Sequence, residues 1–445
     1  MNFKLASMLH IHLVGIGGIG MSALAQHYLK SGFFVSGSDL SASKTTDYLQ
    51  GLGINVVIGQ HAAINVPSET KILVYSLAII DQENPELVQA RAFGAKILSY
   101  PKALGEITED FLTIAVAGSH GKTTTTAMIA KVLLDLDLDP TVILGSTAEF
   151  LTDGGNYRYG ESGGILVLEA CEYYGGFLEL KPDIVVITNI EHDHFDAYPE
   201  EQAYLDAFAD LAAKVVEGIY PVILNLDFPL AQKLYLDARH NQQFLTTGKD
   251  ENCDYSLQNT DLELAVPGEH NRLNALAAVA VCDLLELERA DVLKSLAEFK
   301  GTGRRLELKQ TLGSVPIYSD YGHHPTEIMA TLAALRERYP APDFSLAIVY
   351  QAHQHHRTKA LIDRFAKAFD LADEVVILPI YAARDSQELK TEITAAYLVE
   401  EIAKYHKSVR VYDATVDEHL TSKLAEVNDV VVFMGAGDVE SYGKF

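Results

Sequence analysis

The chain has 445 residues, more than one hydrophobic core ordinarily serves, so two to four domains are expected. It carries 61 acidic against 35 basic side chains, a formal net charge of −26, which repels nucleic acid and anionic membrane and excludes both as electrostatic partners. Three widely spaced cysteines, Cys171, Cys253 and Cys282, make neither a disulfide framework nor a Cys₄ zinc site. No apolar run approaches the roughly 18 residues of a membrane span. The short run Ile11–Val14 lacks a signal-peptide core, so a cytoplasmic protein is expected.

The first segment opens with His10-Ile-His-Leu-Val14, then glycines at 15, 17, 18 and 20, then the helical pattern Met21–Leu29. A second strand-like run from Phe33 to Ser38 ends at Asp39. Glycines between strand and helix, with an acid about 20 residues on, match a dinucleotide fingerprint. Its physical content is a diphosphate on a helix N-terminus and a carboxylate able to accept from ribose or base. The pattern does not distinguish NAD from a UDP-sugar. Further strand-like runs follow at Ile54–Ile58 and Lys71–Tyr75, the latter ending in Ser76. A boundary is expected between Pro101 and Phe111.

The second segment begins with Phe111–Val116 and then Ala117-Gly-Ser-His-Gly-Lys-Thr-Thr-Thr-Thr126. Strand, glycine turn, Gly121-Lys122-Thr123 and helix form the layout of a phosphate-binding loop, with backbone N–H groups converging at a helix N-terminus. Lys122 is expected on the terminal phosphates and the Thr123 hydroxyl on Mg²⁺. The first glycine is Gly118, so the loop is shorter than the usual Walker pattern. Two buried-strand runs end in Glu169 and in Thr188-Asn-Ile-Glu-His-Asp-His194. Functional groups gather beyond strand carboxyl ends, so Glu169 and His194 are expected to converge with Thr123 on one Mg²⁺. Farther on, Val266-Pro-Gly-Glu-His-Asn-Arg-Leu-Asn274 opens an alanine-rich helix. Asn271 and Asn274 share a face and are placed either to read a base edge or, equally, to act as ordinary caps.

The third segment starts near Gly301-Thr-Gly-Arg-Arg305 and holds four strand-like runs, each ending in polar residues. They lead to Asp320–Glu327, to Gln351–Arg357, to Tyr381-Ala-Ala-Arg384-Asp385 and to Met434–Asp438. Five histidines fall in two of these loops, but no Cys or carboxylate accompanies them at a zincin spacing. Anion or carboxylate binding is the expectation there. The whole reads as α/β with three domains: a Rossmann-like N-terminal domain (1–107), a central P-loop ATPase domain with a mostly parallel sheet (108–302) and a Rossmann-like C-terminal domain (303–445).

Together, Gly15-x-Gly-Gly-x-Gly20, Gly118-Ser-His-Gly-Lys-Thr123, Thr188-Asn-Ile-Glu-x-Asp-His194, Gly268-x-His-Asn-x-x-Asn274 and Asp320-Tyr-Gly-His-His-Pro-Thr-Glu327 resemble the Mur ligases, ATP-dependent amide-forming enzymes of peptidoglycan synthesis. The resemblance covers essentially the whole chain. It implies ATP and Mg²⁺, and as substrates UDP-N-acetylmuramate with a small L-amino acid, alanine favoured. The sugar carboxylate would take the γ-phosphoryl group, and the amino acid would then displace phosphate from the acyl phosphate. A sibling branch that attaches a whole tripeptide shares much of the pattern. A nicotinamide-dependent oxidoreductase or a non-catalytic nucleotide sensor are the readings from other classes. A monomer or homodimer is expected.

By the same resemblance Gly118, Ser119, His120, Gly121, Lys122, Thr123, Thr124, His270, Asn271, Asn274, Arg305 and Asp320 bind ATP. Lys122, Glu169 and His194 are the catalytic residues, and Thr123, Glu169 and His194 hold metal. Gly15, Gly17, Gly18, Gly20, Asp39 and Ser76 bind the UDP-sugar, while His323, His353 and Arg357 anchor the amino acid. In two places the chain departs from the family pattern. After Glu169-Ala the family commonly has Asp-Glu-Ser-Asp, whereas Cys171-Glu172-Tyr173-Tyr174 stands here. Beside His353 the usual Pro and Arg are Ala352 and Gln354, which leaves Arg357 as the expected carboxylate anchor. Phe208-Ala209 stand where relatives adding later amino acids carry a modified lysine.

Overall fold

The computed structural model describes residues 9–79, 83–151, 155–162, 164–215, 219–237, 242–382, 385–415 and 417–445. Arg384 of the third-segment motif lies outside them. The chain forms two compact units. The first gathers the chain up to Glu191 with Leu205–Ser256 and Ala277–Ser295. The second comprises His192–Tyr204, Leu257–Leu276 and Leu296–Phe445.

Two sheets lie in the first unit. The N-terminal one consists of β1 (His10–Val14), β2 (Phe34–Asp39), β3 (Asn55–Ile58), β4 (Thr70–Tyr75) and β5 (Lys96–Ser99), in the order β3-β2-β1-β4-β5. All its pairings are parallel. A parallel sheet is ordinarily covered on both faces; in β1 the polar His12 is fully buried along with Ile11, Leu13 and Val14. The chain leaves β1 in one direction for β2 and returns on its other side for β4. That reversal makes the crevice beyond the carboxyl ends of β1 and β4 the natural ligand position.

The central sheet contains β6 (Leu112–Ala117), β7 (Thr141–Ile143), β8 (Tyr157–Arg158), β9 (Ile165–Glu169), β10 (Ile184–Ile187), β11 (Val222–Asn225), β12 (Phe244–Gly248) and β13 (Tyr255–Ser256). Their order is β13-β12-β11-β10-β6-β9-β7-β8, with only the edge pair β7–β8 antiparallel. β6 is flanked by β10 and β9, so the loops after all three open on one edge. The fully buried Ile114, Ala115, Val116 and Ala117 make β6 the centre of this core. Within the same unit, Asn156 Nδ2 donates to the Ile19 carbonyl at 2.6 Å. His27, nearly buried, contacts the Tyr157 hydroxyl through Nδ1 at 3.1 Å and packs edge-on to Phe111.

The second unit carries the third sheet: β14 (Glu307–Leu312), β15 (Val315–Asp320), β16 (Leu346–Tyr350), β17 (Glu374–Ile377), β18 (Val409–Val411) and β19 (Val430–Met434). The order is β14-β15-β19-β16-β17-β18, parallel except for β14–β15. The four apolar runs read from the sequence are β15, β16, β17 and β19. β14 and β18 escape that reading because Glu-Leu-Lys-Gln-Thr-Leu is a half-exposed edge strand and Val-Arg-Val is only three residues long. This is the three-domain α/β architecture expected from the sequence.

Candidate active site

The N-terminal glycine loop is held from below by backbone and from one side by a carboxylate. The N–H groups of Gly15 and Ile16 both donate to the Ser38 carbonyl, at 2.9 and 3.0 Å. Gly17 N–H donates to Asp39 Oδ2 at 2.9 Å. Gly15 packs so closely on Ser76 that an added β-carbon would lie 3.1 Å from that of Ser76. Gly18 caps the helix Ile19–Lys30 without a side-chain bond, leaving its first N–H groups for an anion. Gly15, Gly17, Gly18, Gly20, Asp39 and Ser76 therefore come together, with Asp39 bracing the loop. Sequence reasoning missed Glu86, a fully buried carboxylate beneath β1 and β2. It is contacted by His12 at 3.2 Å, Ser38 at 2.6 Å, His61 at 3.1 Å and Asn65 at 2.8 Å. Burial pushes its pKa up, but the bonds from His12, Ser38 and Asn65 outweigh this and bring it to about 2.

The second loop follows β6. Gly121 takes a left-handed φ of 81° at the N-cap of the helix Lys122–Asp135 and makes no side-chain cap bond. Gly118 has φ 134°, and a β-carbon there would fall 2.1 Å from the Thr188 hydroxyl, so only glycine fits. The segment after β10 braces this loop. His120 N–H donates to Asn189 Oδ1 at 2.9 Å, Asn189 Nδ2 donates back to the His120 carbonyl at 2.9 Å, and His120 Nε2 meets Glu191 at 3.0 Å. The Thr123 hydroxyl donates to Glu169 Oε2 at 2.9 Å, while Glu169 Oε1 accepts from Gly145 N–H at 2.5 Å. A hydroxyl and a carboxylate side by side next to a phosphate-type loop are the oxygen donors a hard Mg²⁺ prefers.

Lys122 is not left in solvent. Its ammonium donates to the Gly118 and Ser119 carbonyls at 2.5 and 3.2 Å and to both oxygens of Glu172 at 3.1 and 3.0 Å. Burial works against the lysine charge, yet Glu172 and Glu169 outweigh it and raise the pKa. Glu172, fully buried, was not among the residues singled out from the sequence. Its signal was an acid three residues past the strand-end Glu169, in the stretch where the family pattern is broken.

In the second unit, His194 sits on the segment His192–Tyr204 with a left-handed φ of 54°. Asn271 and Asn274 lie within the helix Glu269–Leu284, both nearly buried, and Asn271 Nδ2 donates to the Pro267 carbonyl at 2.7 Å. Asn271 thereby ties the first turn of the helix to the loop before it. Burial, assisted by Arg305, lowers the His270 pKa to about 4. Asp320 accepts from Leu306 and Gly322 N–H at 2.8 and 2.7 Å, and Arg305 reaches Glu327 at 3.4 Å.

The proposed amino-acid anchors share one neighbourhood. The His323 and His353 rings lie 5.9 Å apart, His353 stacks on Tyr381, and Arg357 Nη1 approaches His353 Nδ1 at 3.5 Å. Arg357 also grips Asp193, with Nε 2.9 Å from Oδ1 and Nη2 3.3 Å from Oδ2. Burial and the Arg357 charge lower His323 to about 3 and His353 to about 4. Both imidazoles are neutral near pH 7, so fixed positive charge here comes from Arg357. Asp385 accepts from His355 N–H at 2.8 Å and contacts the rings of His355 and His356, fixing the Gln354–Arg357 turn. Asp193 and Asp385 were also missed from the sequence. Their partners are far along the chain.

A Rossmann-like sheet with a glycine loop, a P-loop sheet with an oxygen-donor pair and a third doubly wound sheet with an arginine–histidine cluster define a P-loop nucleotide-binding protein of ligase type. Residues 10–112, 116–282 and 304–437 match, in turn, the catalytic, middle and glutamate ligase domains of the Mur ligases. The chain belongs to the Mur ligase family. It is 40% identical to the UDP-N-acetylmuramate–L-alanine ligase of Sorangium cellulosum, over 97% of this chain and 94% of that protein. The corresponding ligase of Clostridium kluyveri is 36% identical over 100% and 99%. Among solved structures, UDP-N-acetylmuramate–alanine ligase from Thermotoga maritima superposes with a TM-score of 0.79 at 28% identity, covering 98% of this chain and 97% of that one.

Proposed function

We propose that this protein joins L-alanine to the carboxylate of UDP-N-acetylmuramate in the cytoplasm, with hydrolysis of ATP to ADP and phosphate, as a step of peptidoglycan synthesis. The observation that carries this reading is the presence, in one compact unit, of two distinct glycine loops. One opens the helix Ile19–Lys30 and is assigned to a diphosphate, and the other has Lys122 and the Thr123–Glu169 pair beside it. A nicotinamide oxidoreductase would leave the second loop without a role.

The UDP-sugar is assigned to residues 1–107, ATP to 108–302 and the amino acid to 303–445. Gly15–Gly20, with Asp39 and Ser76, hold the diphosphate of the sugar nucleotide. Gly118–Thr124 hold the ATP phosphates through backbone N–H groups, and Lys122 swings from Glu172 to the terminal phosphate. His270, Asn271, Asn274, Arg305 and Asp320 are assigned to the rest of ATP. Thr123 and Glu169 hold Mg²⁺, with His194 assigned to the same ion by its motif. The metal supplies charge neutralisation at the transferring phosphoryl group.

Attack of the sugar carboxylate on the γ-phosphorus gives an acyl phosphate, and the neutral amine of alanine displaces phosphate at the carbonyl carbon. Arg357 orients the carboxylate of the incoming amino acid, with the neutral His323 and His353 lining its surroundings. The test is product analysis by mass spectrometry with ATP, Mg²⁺ and UDP-N-acetylmuramate against L-alanine, L-serine, glycine and the tripeptide. The reading requires an alanine adduct as the preferred product. A preferred tripeptide adduct, or no amide with any of the four, contradicts it.

A further inference from the structure

Glu86 sits in the first turn of the helix Pro85–Ala92, where the Asn84 side chain accepts its backbone N–H at 2.9 Å. Its carboxylate is fully buried, and the two oxygens face two different segments. Oε2 accepts from the Ser38 hydroxyl at 2.6 Å and meets His12 Nε2 at 3.2 Å. Oε1 accepts from Asn65 Nδ2 at 2.8 Å and from Ala62 N–H at 3.4 Å, and meets His61 Nδ1 at 3.1 Å. A buried charge is costly unless donors satisfy it. Here those donors come from the end of β2 and from the loop after β3.

Both segments lead to the N-terminal glycine loop. The Ser38 carbonyl accepts the N–H groups of Gly15 and Ile16, at 2.9 and 3.0 Å. The loop with His61 and Asn65 leaves β3 through Gly59, whose N–H donates to the Asp39 carbonyl at 2.9 Å. The Asp39 carboxylate in turn accepts from Gly17 N–H at 2.9 Å. One carboxylate therefore stands behind the two adjacent residues that hold Gly15, Ile16 and Gly17. Hydrogen bonds to a charged group are short and strong, so they fix where Ser38 and the 59–65 loop lie.

Resting on the function proposed above, we infer that Glu86 is a positioning residue for the sugar nucleotide. It holds Ser38 and the 59–65 loop so that the glycine loop keeps the first turn of the helix Ile19–Lys30 presented to the diphosphate. Being fully buried, it acts without touching the ligand. The ATP loop is independent of it, because Asn189 and Glu191 brace that loop from the segment after β10. Loss of a bond to Glu86 therefore weakens one nucleotide and spares the other.

The test is calorimetric titration of wild type and Ser38→Ala with UDP, joined to the KM values for UDP-N-acetylmuramate and ATP. Ser38→Ala removes one bond to the carboxylate and leaves the other donors and the Ser38 carbonyl in place. A hydrogen bond to a charged group supports a loss of about tenfold in UDP affinity and a matching rise in the UDP-N-acetylmuramate KM. The kcat at saturating sugar nucleotide and the ATP KM should stay within about twofold. UDP affinity within about twofold of wild type, whatever the thermal midpoint, makes Glu86 a purely structural group and overturns the inference. Should Ser38→Ala not fold, Asn65→Ala cuts the other side of the carboxylate and decides by the same criterion. A wild type that binds no UDP or forms no amide overturns the functional reading instead.

Discussion

The guanidinium of Arg357 clasps the carboxylate of Asp193 along two contacts, 2.9 Å from Nε and 3.3 Å from Nη2, with both side chains almost wholly buried. Burial alone would push the Asp193 carboxyl up. The adjoining Arg357, with His194 and His323, holds it well below the usual carboxylate range. A buried pair of this kind is far weaker when one partner is removed than when both are kept, because the survivor is left desolvated and unpaired. Asp193→Ala should therefore destabilise the protein by about 3–5 kcal/mol, read as a fall in thermal midpoint. Arg357→Lys loses the planar fork and should raise the alanine KM about tenfold, with little change in the ATP KM. An alanine KM within about twofold of wild type would mean that Arg357 serves the fold alone.

Lys122 and Glu172 form a second close ion pair. While Lys122 faces Glu172, the carboxylate competes with any phosphate for the same ammonium. Glu172→Gln keeps the shape and one hydrogen bond but removes the competing charge. The ligand-free protein should lose about 1–3 kcal/mol of stability, and the rise in melting temperature on adding ATP should become larger than in wild type. Equal ATP-induced shifts in the two proteins would show that Glu172 does not hold the lysine back.

Glu169 offers one oxygen to Thr123 and the other to Gly145. Glu169→Gln preserves the outline while losing the anionic oxygen that Mg²⁺ prefers. The Mg²⁺ concentration for half-maximal rate should rise about tenfold or more with ATP binding much less affected. An unchanged Mg²⁺ dependence of phosphate release would assign Glu169 to bracing the Gly145 turn.

His27 gives a pH prediction. Burial lowers its pKa from 6.5 to about 4, so the folded protein binds fewer protons than the unfolded chain between those values. Stability from the neutral ring is complete above pH 6.5, falls as pH drops towards 4, and is spent below it, a change of about 3 kcal/mol. His27→Leu should flatten this part of the pH–stability profile measured by thermal melts from pH 7 to 4.5. Parallel profiles for the two proteins would rule the contribution out.

The positions legible in the sequence were those whose neighbours are close along the chain. Gly118–Thr123 declared a phosphate loop because strand, turn and helix are contiguous, and β15, β16, β17 and β19 declared themselves because parallel strands buried on both faces are uniformly apolar. Glu172 and Asp193 were not legible as partners, since Lys122 lies 50 residues from one and Arg357 lies 164 from the other. Nothing local distinguishes a surface acid from one buried against a distant cation. Edge strands β14 and β18 were lost for a related reason: a half-wet or three-residue strand leaves no run to read.

Ligation through an acyl phosphate is most directly tested by oxygen transfer. UDP-N-acetylmuramate labelled with oxygen-18 in its carboxylate is converted with ATP, Mg²⁺ and L-alanine, and the released phosphate is analysed by mass. Because the carboxylate oxygen becomes the bridge to phosphorus and leaves with it, one label per turnover should appear in inorganic phosphate. Phosphate free of label, with both labelled oxygens accounted for elsewhere, would contradict the mechanism.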